Sequence, residues 1–286
     1  MTKHPASYTT IPFPAARQLI VEAGRMGSRR PLIHGLLEID VTQARAALRE
    51  HKGRTGESLS FTAFIVTCLA QAVDHDRRVQ AYRDWRNRLI IFDDVDVVTL
   101  IEAERGGVAL PHIIRAANRK SFREIHDEIR AVQTRPARSE QRSSPLMRLA
   151  PRVPSFVRQL FYRLLLKSPQ RLKRYSGTCL VTSVGMFGQG SGWGFGFLPM
   201  HTLGLTVGGI ASKPGVIEGR IEIREYLCLT ITFDHDMVDG APAARFAQRL
   251  KELLESGYGV DAAAVSILRQ SGQNQNQEDR QTLHRQ

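Results

Sequence analysis

Residues Leu229 to Ala241, Leu-Thr-Ile-Thr-Phe-Asp-His-Asp-Met-Val-Asp-Gly-Ala, pass from strand to turn to helix without an intervening linker. The apolar–polar alternation of Leu229–Phe233 has the period of two expected of a half-buried strand. His235 stands at its end, and an Asp239-Gly240 pair four positions on turns the chain. Beyond the turn, Phe246, Leu250, Leu253 and Leu254 recur at helical spacing until Gly257 stops the helix. A histidine on a strand-to-helix turn, with a carboxylate in the same turn, has the layout of a positioned general base. Spacing alone leaves an ordinary surface-turn histidine equally open.

The rest of the chain extends this layered pattern. A helix follows Pro14, with Leu19, Ile20, Ala23 and Met26 on one face; Leu32–Asp40 reads as a strand and Val41–Lys52 as a helix. Ser60 is an N-cap for Phe61–Val73, which is apolar nearly all round and therefore belongs in the core. Leu89–Phe92, Val95–Glu102 and Val108–Ile114 read as strands, and Ser121 opens a helix to about Thr134. Gly177–Ser183, Leu203–Ile210, Arg220–Tyr226 and Leu227–Phe233 complete a mixed β-sheet with helices packed on one side, an α+β domain. Residues 1–10 are expected to be flexible, 11–262 to form one domain with a basic insertion at 135–176, and the polar, Gln-rich tail 263–286 to be disordered.

Net charge is +12, which would ordinarily suggest nucleic acid. Its distribution argues otherwise: the stretch from Arg135 to Tyr175 supplies about ten of the twelve excess charges, and the remaining body is near neutral. Cys68, Cys179 and Cys228 are widely spaced within apolar segments, so buried free thiols are expected, with no metal site. No long apolar run or signal-peptide core is present, making a cytoplasmic location the default expectation.

The segment around His235 resembles the active-site motif of the acyltransferase component of 2-oxo acid dehydrogenase complexes and of chloramphenicol acetyltransferase. Asp234 before the histidine and Ala243-Ala244-Arg245-Phe246 after the glycine are closer to the former. Val181-Thr182-Ser183-Val184-Gly185 is similar to that family's Ile-Ser-Asn-Leu-Gly stretch, Ile11–Arg17 to its opening segment, and Val108–Ser121 to its central strand and following helix. The resemblance covers roughly residues 10–258. It implies a chloramphenicol acetyltransferase-like fold, assembly as a trimer or a multiple of trimers, and acyl transfer between coenzyme A and a dihydrolipoamide-like thiol or other small nucleophile.

Such a reaction needs a base for the thiol proton, a donor to the oxyanion and exclusion of water. The resemblance assigns the base to His235 and the oxyanion donor to a hydroxyl of Thr182 or Ser183, with Thr182 favoured, the two groups coming from neighbouring chains. It makes Asp239 structural, paired with Arg17, and Gly240 the residue that lets the backbone turn. Met186, Phe187 and Trp193 of the Gly-aromatic loop are expected to line the substrate channel or pack beneath the sheet, and His201 to be a channel or core residue.

Two features depart from the family. No lipoyl domain precedes the catalytic segment, so a lipoyl group is expected only on a separate partner protein, if the acceptor is lipoylated at all. Within the insertion, Val153, Phe156, Val157, Leu160, Phe161, Leu164 and Leu165 follow helical spacing, flanked by Arg152, Arg158, Arg163 and Lys167. Such a stripe most often packs on its own protein; a basic amphipathic segment over 152–174 can also attract an acidic partner, CoA phosphates or an anionic membrane. An inactive scaffold or recruitment protein of the same fold is the alternative reading.

Overall fold

In a computed structural model of the chain, the residues described here are 8–11, 13, 15–28, 30–101, 110–134, 153–184 and 190–260. Their centre is a six-stranded mixed sheet in the order β1-β8-β7-β6-β4-β5. The strands are β1 (Leu32–Asp40), β4 (Val97–Ile101), β5 (Leu110–Ile114), β6 (Cys179–Ser183), β7 (Leu203–Ile217) and β8 (Arg220–Asp234). β6 runs parallel to both neighbours, and the other pairings are antiparallel. β2 (Tyr82–Arg83) and β3 (Leu89–Ile90) form a separate short ribbon. The strand expected to continue to Phe92 stops early, because the Phe92 carbonyl instead accepts from Gln80 Nε2 at 3.0 Å.

Alternation along β8 decides how the layers stack. Leu227, Leu229, Ile231 and Phe233 are buried on one face, beside Leu203 and Leu205 of β7 and Cys179 and Val181 of β6. Against this face pack α2 (Thr42–Thr55), α3 (Phe61–His75), α4 (Phe122–Thr134) and α7 (Gly240–Glu255). Helix α3 is enclosed nearly all round, as its composition requires, with Phe64, Ile65, Val66 and Leu69 fully buried. Ser60 Oγ caps it by accepting from Ala63 N at 3.2 Å. Ser121 and Glu124 form a reciprocal capping box at the start of α4, with Ser121 N donating to Glu124 Oε2 at 2.8 Å and Glu124 N to Ser121 Oγ at 3.3 Å.

The opposite sheet face carries Thr182, Thr206, Thr230 and Thr232 and is covered by the Gly-aromatic segment 190–198. Helix α1 (Ala15–Gly27) lies outside that segment: a Cβ at Gly24 would press on the Phe197 ring, and one at Gly27 would strike the Pro199 backbone. Thus α1 is on the loop side, whereas the four core helices share the other.

The insertion contributes α5 (Ser155–Leu166) and α6 (Pro169–Ser176). Here the expected self-packing of the apolar stripe holds only in part: Leu165 is buried against Leu172 and Tyr82. Val157, Leu160, Phe161 and Leu164 face solvent, whereas Arg158, expected on the flank, is buried. The cause is Glu22 of α1, whose carboxylate accepts from Arg158 Nε at 2.9 Å and Nη2 at 2.5 Å. These bonds hold the Glu22 carboxyl below its ordinary range against the opposing effect of burial. A charge-assisted bidentate pair therefore rotates the helix and turns its apolar stripe outward.

Candidate active site

Asp234 ends β8 and organises the turn that follows. Its carbonyl accepts from Met237 N at 3.0 Å and Val238 N at 3.1 Å, while His235 N donates to Pro31 O at 2.7 Å. The Asp234 carboxylate is buried, accepts from Asp236 N at 3.1 Å, and stands 3.5 Å from Arg30 Nη1. Burial pushes its carboxyl above the ordinary range despite the pull of Arg30. Arg30 also donates to the His201 carbonyl at 3.1 Å. On the helix side, the Phe233 and Phe246 rings meet edge to face, 5.7 Å between centroids, and staple the two ends of the turn.

This framework presents His235 at the surface. Its side chain is 46% exposed, and Nδ1 lies 3.8 Å from Asp239 Oδ1, beyond hydrogen-bond range. Asp239 is itself 85% exposed and makes no side-chain cap bond to α7.

The surroundings of the turn differ from expectation at two positions. Arg17 is exposed and forms no ion pair with Asp239; the arginine that faces the turn is Arg30, acting through Asp234. The physical reason is burial: Asp234 is withdrawn from water and needs a partner, whereas Asp239 is solvated. Gly240 is the first residue of α7 without a positive φ, and a Cβ there would meet nothing within 4 Å, so local backbone geometry does not demand glycine.

Thr182 and Ser183 lie on opposite faces at the end of β6. Thr182 shares the polar face with Thr206 and Thr230, whereas Ser183 follows the alternation of core residues Cys179 and Val181. Neither hydroxyl makes a hydrogen bond among the described residues, so both retain a free donor. Gly196 passes directly over Thr182; a Cβ there would collide with Thr206 Oγ1 and crowd the Thr182 methyl. Gly196 thus faces the Thr182 methyl, and Thr182 itself is half-buried.

Strand register separates this hydroxyl from the base. Thr182 is opposite Thr206, and Thr206 is opposite Thr230, whereas His235 lies five residues farther along β8 and its turn. At strand spacings this is about 16 Å along the sheet and about 10 Å across it. One chain therefore carries His235 and Thr182 at different ends of the same sheet.

The loop is fastened where the sequence places glycines. Trp193 Nε1 donates to Leu37 O at 3.2 Å, and the Phe195 ring meets His34 edge-on at 5.1 Å. His34 Nδ1 is hydrogen-bonded to Thr232 Oγ1 at 2.9 Å. At the β7 bulge Gly209 N donates to Gly192 O at 2.9 Å, and a Cβ on Gly208 or Gly209 would collide with the loop backbone. Trp193 remains 42% exposed. Met186 and Phe187 lie outside the described residues. His201 resolves to the core: it is buried, its Nε2–H donates to Ser176 O at 2.6 Å, and burial pushes its pKa down to about 4.

Sequence reasoning missed Arg30, Thr206 and His34. The polar face of β8 was available in its alternation, since Thr230, Thr232 and Asp234 occur every second residue. Arg30 has no local signal; only the fold brings it to Asp234. The three cysteines are free and buried, and burial lifts the Cys179 thiol to about 12, so it is no thiolate nucleophile. Glu57, His126 and Asp127 have a metal-like grouping, but Arg123 Nη1 already occupies the Glu57 carboxylate at 2.7 Å.

The model of the family described as 2-oxoacid dehydrogenases acyltransferase (catalytic domain) matches residues 5–146 and 168–259. The dihydrolipoyllysine-residue acetyltransferase component of the pyruvate dehydrogenase complex from Staphylococcus epidermidis is 25% identical over 257 residues, covering 87% of this chain and 51% of the relative. That from Staphylococcus aureus is 25% identical over 258 residues, covering 87% and 52%. The chain thus spans about half the length of the curated relatives it matches. Among solved structures, a probable dihydrolipoamide acetyltransferase from Listeria monocytogenes superposes with a TM-score of 0.69 at 22% identity, covering 88% of this chain and 96% of that one. Azotobacter vinelandii dihydrolipoamide acetyltransferase, studied at a serine, a histidine and an asparagine of its catalytic mechanism, gives a TM-score of 0.67 at 18% identity, covering 91% and 99%.

Proposed function

The chain belongs to the 2-oxoacid dehydrogenase acyltransferase (catalytic domain) family, and from that premise we propose that it moves an acyl group between coenzyme A and a dihydrolipoyl-type thiol. The observation that carries this reading is a solvent-presented histidine and a free hydroxyl held by one rigid sheet but about 19 Å apart by register. A base and an oxyanion donor must converge within hydrogen-bond reach of one carbonyl. Two copies satisfy that requirement when His235 of one faces Thr182 of the next. We therefore place the active site between copies in a trimer or a multiple of trimers. The β7–β8 hairpin supports such contact, since Val216, Ile221 and Ile223 near its tip are apolar and more than 70% exposed.

In this site His235 removes the acceptor thiol proton, and the resulting thiolate adds to the thioester carbonyl. The Thr182 hydroxyl donates to the oxyanion, an interaction worth about 3–4 kcal/mol in acyl-transfer sites. Collapse breaks the original C–S bond, and the departing thiolate recovers the proton from His235. Arg30 and Asp234 position the turn; the closed packing of segment 190–198 over the sheet limits water on that face. The Azotobacter study supports the assignment, because its histidine and asparagine have the spacing of His235 and Asp239.

The acceptor is read as a dihydrolipoyl group on a separate lipoylated protein, and the compartment as the cytoplasm, where free buried cysteines persist. Coenzyme A release over a panel of acyl-CoAs and thiol acceptors tests the reaction. Wild type should turn over, and His235→Ala should lose on the order of a hundredfold or more in rate. Equal inactivity of both proteins on every acceptor would leave the fold as a scaffold.

A further inference from the structure

The helix α5 is outside the family match, which omits residues 147–167. It is nevertheless firmly mounted, by the Arg158–Glu22 pair and by Leu165, which packs with Leu172 and Tyr82. Its outer surface carries Val157, Leu160, Phe161 and Leu164, which are 40%, 57%, 39% and 51% exposed. These positions have the i, i+3, i+4, i+7 spacing of a continuous helical stripe. Trp85, 67% exposed, stands at the end of the stripe, lining an open cleft with Leu164, Lys167 and Arg171.

Charge indicates what covers this surface. Residues 153–176 contain Arg158, Arg163, Lys167, Arg171, Lys173 and Arg174 and no acidic residue. Arg158 is neutralised by Glu22 and Lys173 approaches Asp96 at 3.8 Å, but exposed Arg163, Lys167, Arg171 and Arg174 form no ion pair among the described residues. A symmetric contact with a second copy would set these cations against themselves. A single apolar acyl surface beneath an anionic headgroup layer satisfies both the stripe and its cations, and an exposed Trp suits that boundary.

We propose that α5 and the start of α6 form a docking surface for an anionic lipid membrane, on which the protein lies peripherally. No helix of the described residues is long and apolar enough to cross a bilayer. This inference uses no residue of the acyl-transfer site and stands apart from that reaction.

Co-sedimentation of the full chain with vesicles of phosphatidylcholine, with and without phosphatidylglycerol, tests it. Wild type should bind only the anionic vesicles and dissociate as salt rises. Arg163→Gln/Lys167→Gln/Arg171→Gln/Arg174→Gln should weaken partitioning by several hundredfold, since each cation near an anionic surface contributes a factor of about five. Leu160→Ser/Phe161→Ser/Leu164→Ser should also abolish binding, with circular dichroism and oligomer mass unchanged. No binding to anionic vesicles overturns the proposal. So does a change of oligomer mass in the apolar variant, which makes a second copy the occupant, or capture by polyglutamate without vesicle binding, which makes it an acidic protein.

Discussion

Replacing Phe246 tests whether the His235 turn is held by packing behind the sheet. Phe246 is 3% exposed, and its partner Phe233, two residues before His235, is 2% exposed. Their edge-to-face contact at 5.7 Å and 87° should contribute about 0.5–1.5 kcal/mol beyond burial alone. Phe246→Ala also leaves a cavity between α7 and β8, so the total cost should be about 3–5 kcal/mol. Phe246→Leu keeps most of the buried volume and loses chiefly the ring contact, for about 1–2 kcal/mol. Urea titration of both variants measures these losses, and coenzyme A release at saturating substrate measures the turn's alignment. Stability and rate should fall in the order wild type, Leu, Ala, with the Leu variant still folded and slower. A loss below about 1 kcal/mol for the Ala variant would refute the staple. So would a folded Leu variant with an unchanged rate.

Three further perturbations address other parts of the site. Because burial lowers the His201 pKa from 6.5 to about 4, its neutral form contributes stability that is intact above the unfolded value and is lost as pH falls from 6.5 through about 4. Urea midpoints across that window should slope less steeply in His201→Gln. Gly196→Ala should cost about 1–3 kcal/mol through collision with Thr206 Oγ1, and Thr206→Ala should restore part of it in thermal melts of the double variant. Asp234→Asn should slow transfer without loss of fold, because it removes a carboxylate whose charged form burial disfavours while weakening the hold of Arg30; the paired measurements are rate and melting temperature.

Much of the scaffold could be read from local patterns. Leu32–Asp40 is the strand its alternation suggested, Ser60 caps α3, and the stop at Gly257 follows the end of α7, with φ of +66° there. These features depend on neighbours a few residues away. Orientation of α5 was not legible, because the residue that turns it is Glu22, far off in sequence. Arg30 was hidden for the same reason: its pairing with Asp234 exists only after β1 and β8 align. Sequence proposes the histidine and hydroxyls by kind, but their separation is a matter of register, which only the paired strands specify.

That separation makes subunit complementation the most direct measurement. His235→Ala and Thr182→Ala chains, carrying different tags, would be co-expressed and the mixed oligomers purified through both tags. If His235 and Thr182 act across an interface, each trimer selected through both tags contains an intact pair at about one interface in three. Coenzyme A release should then recover to about a third of wild type, far above either variant alone. Mixed oligomers no more active than the single variants would contradict a site shared between copies.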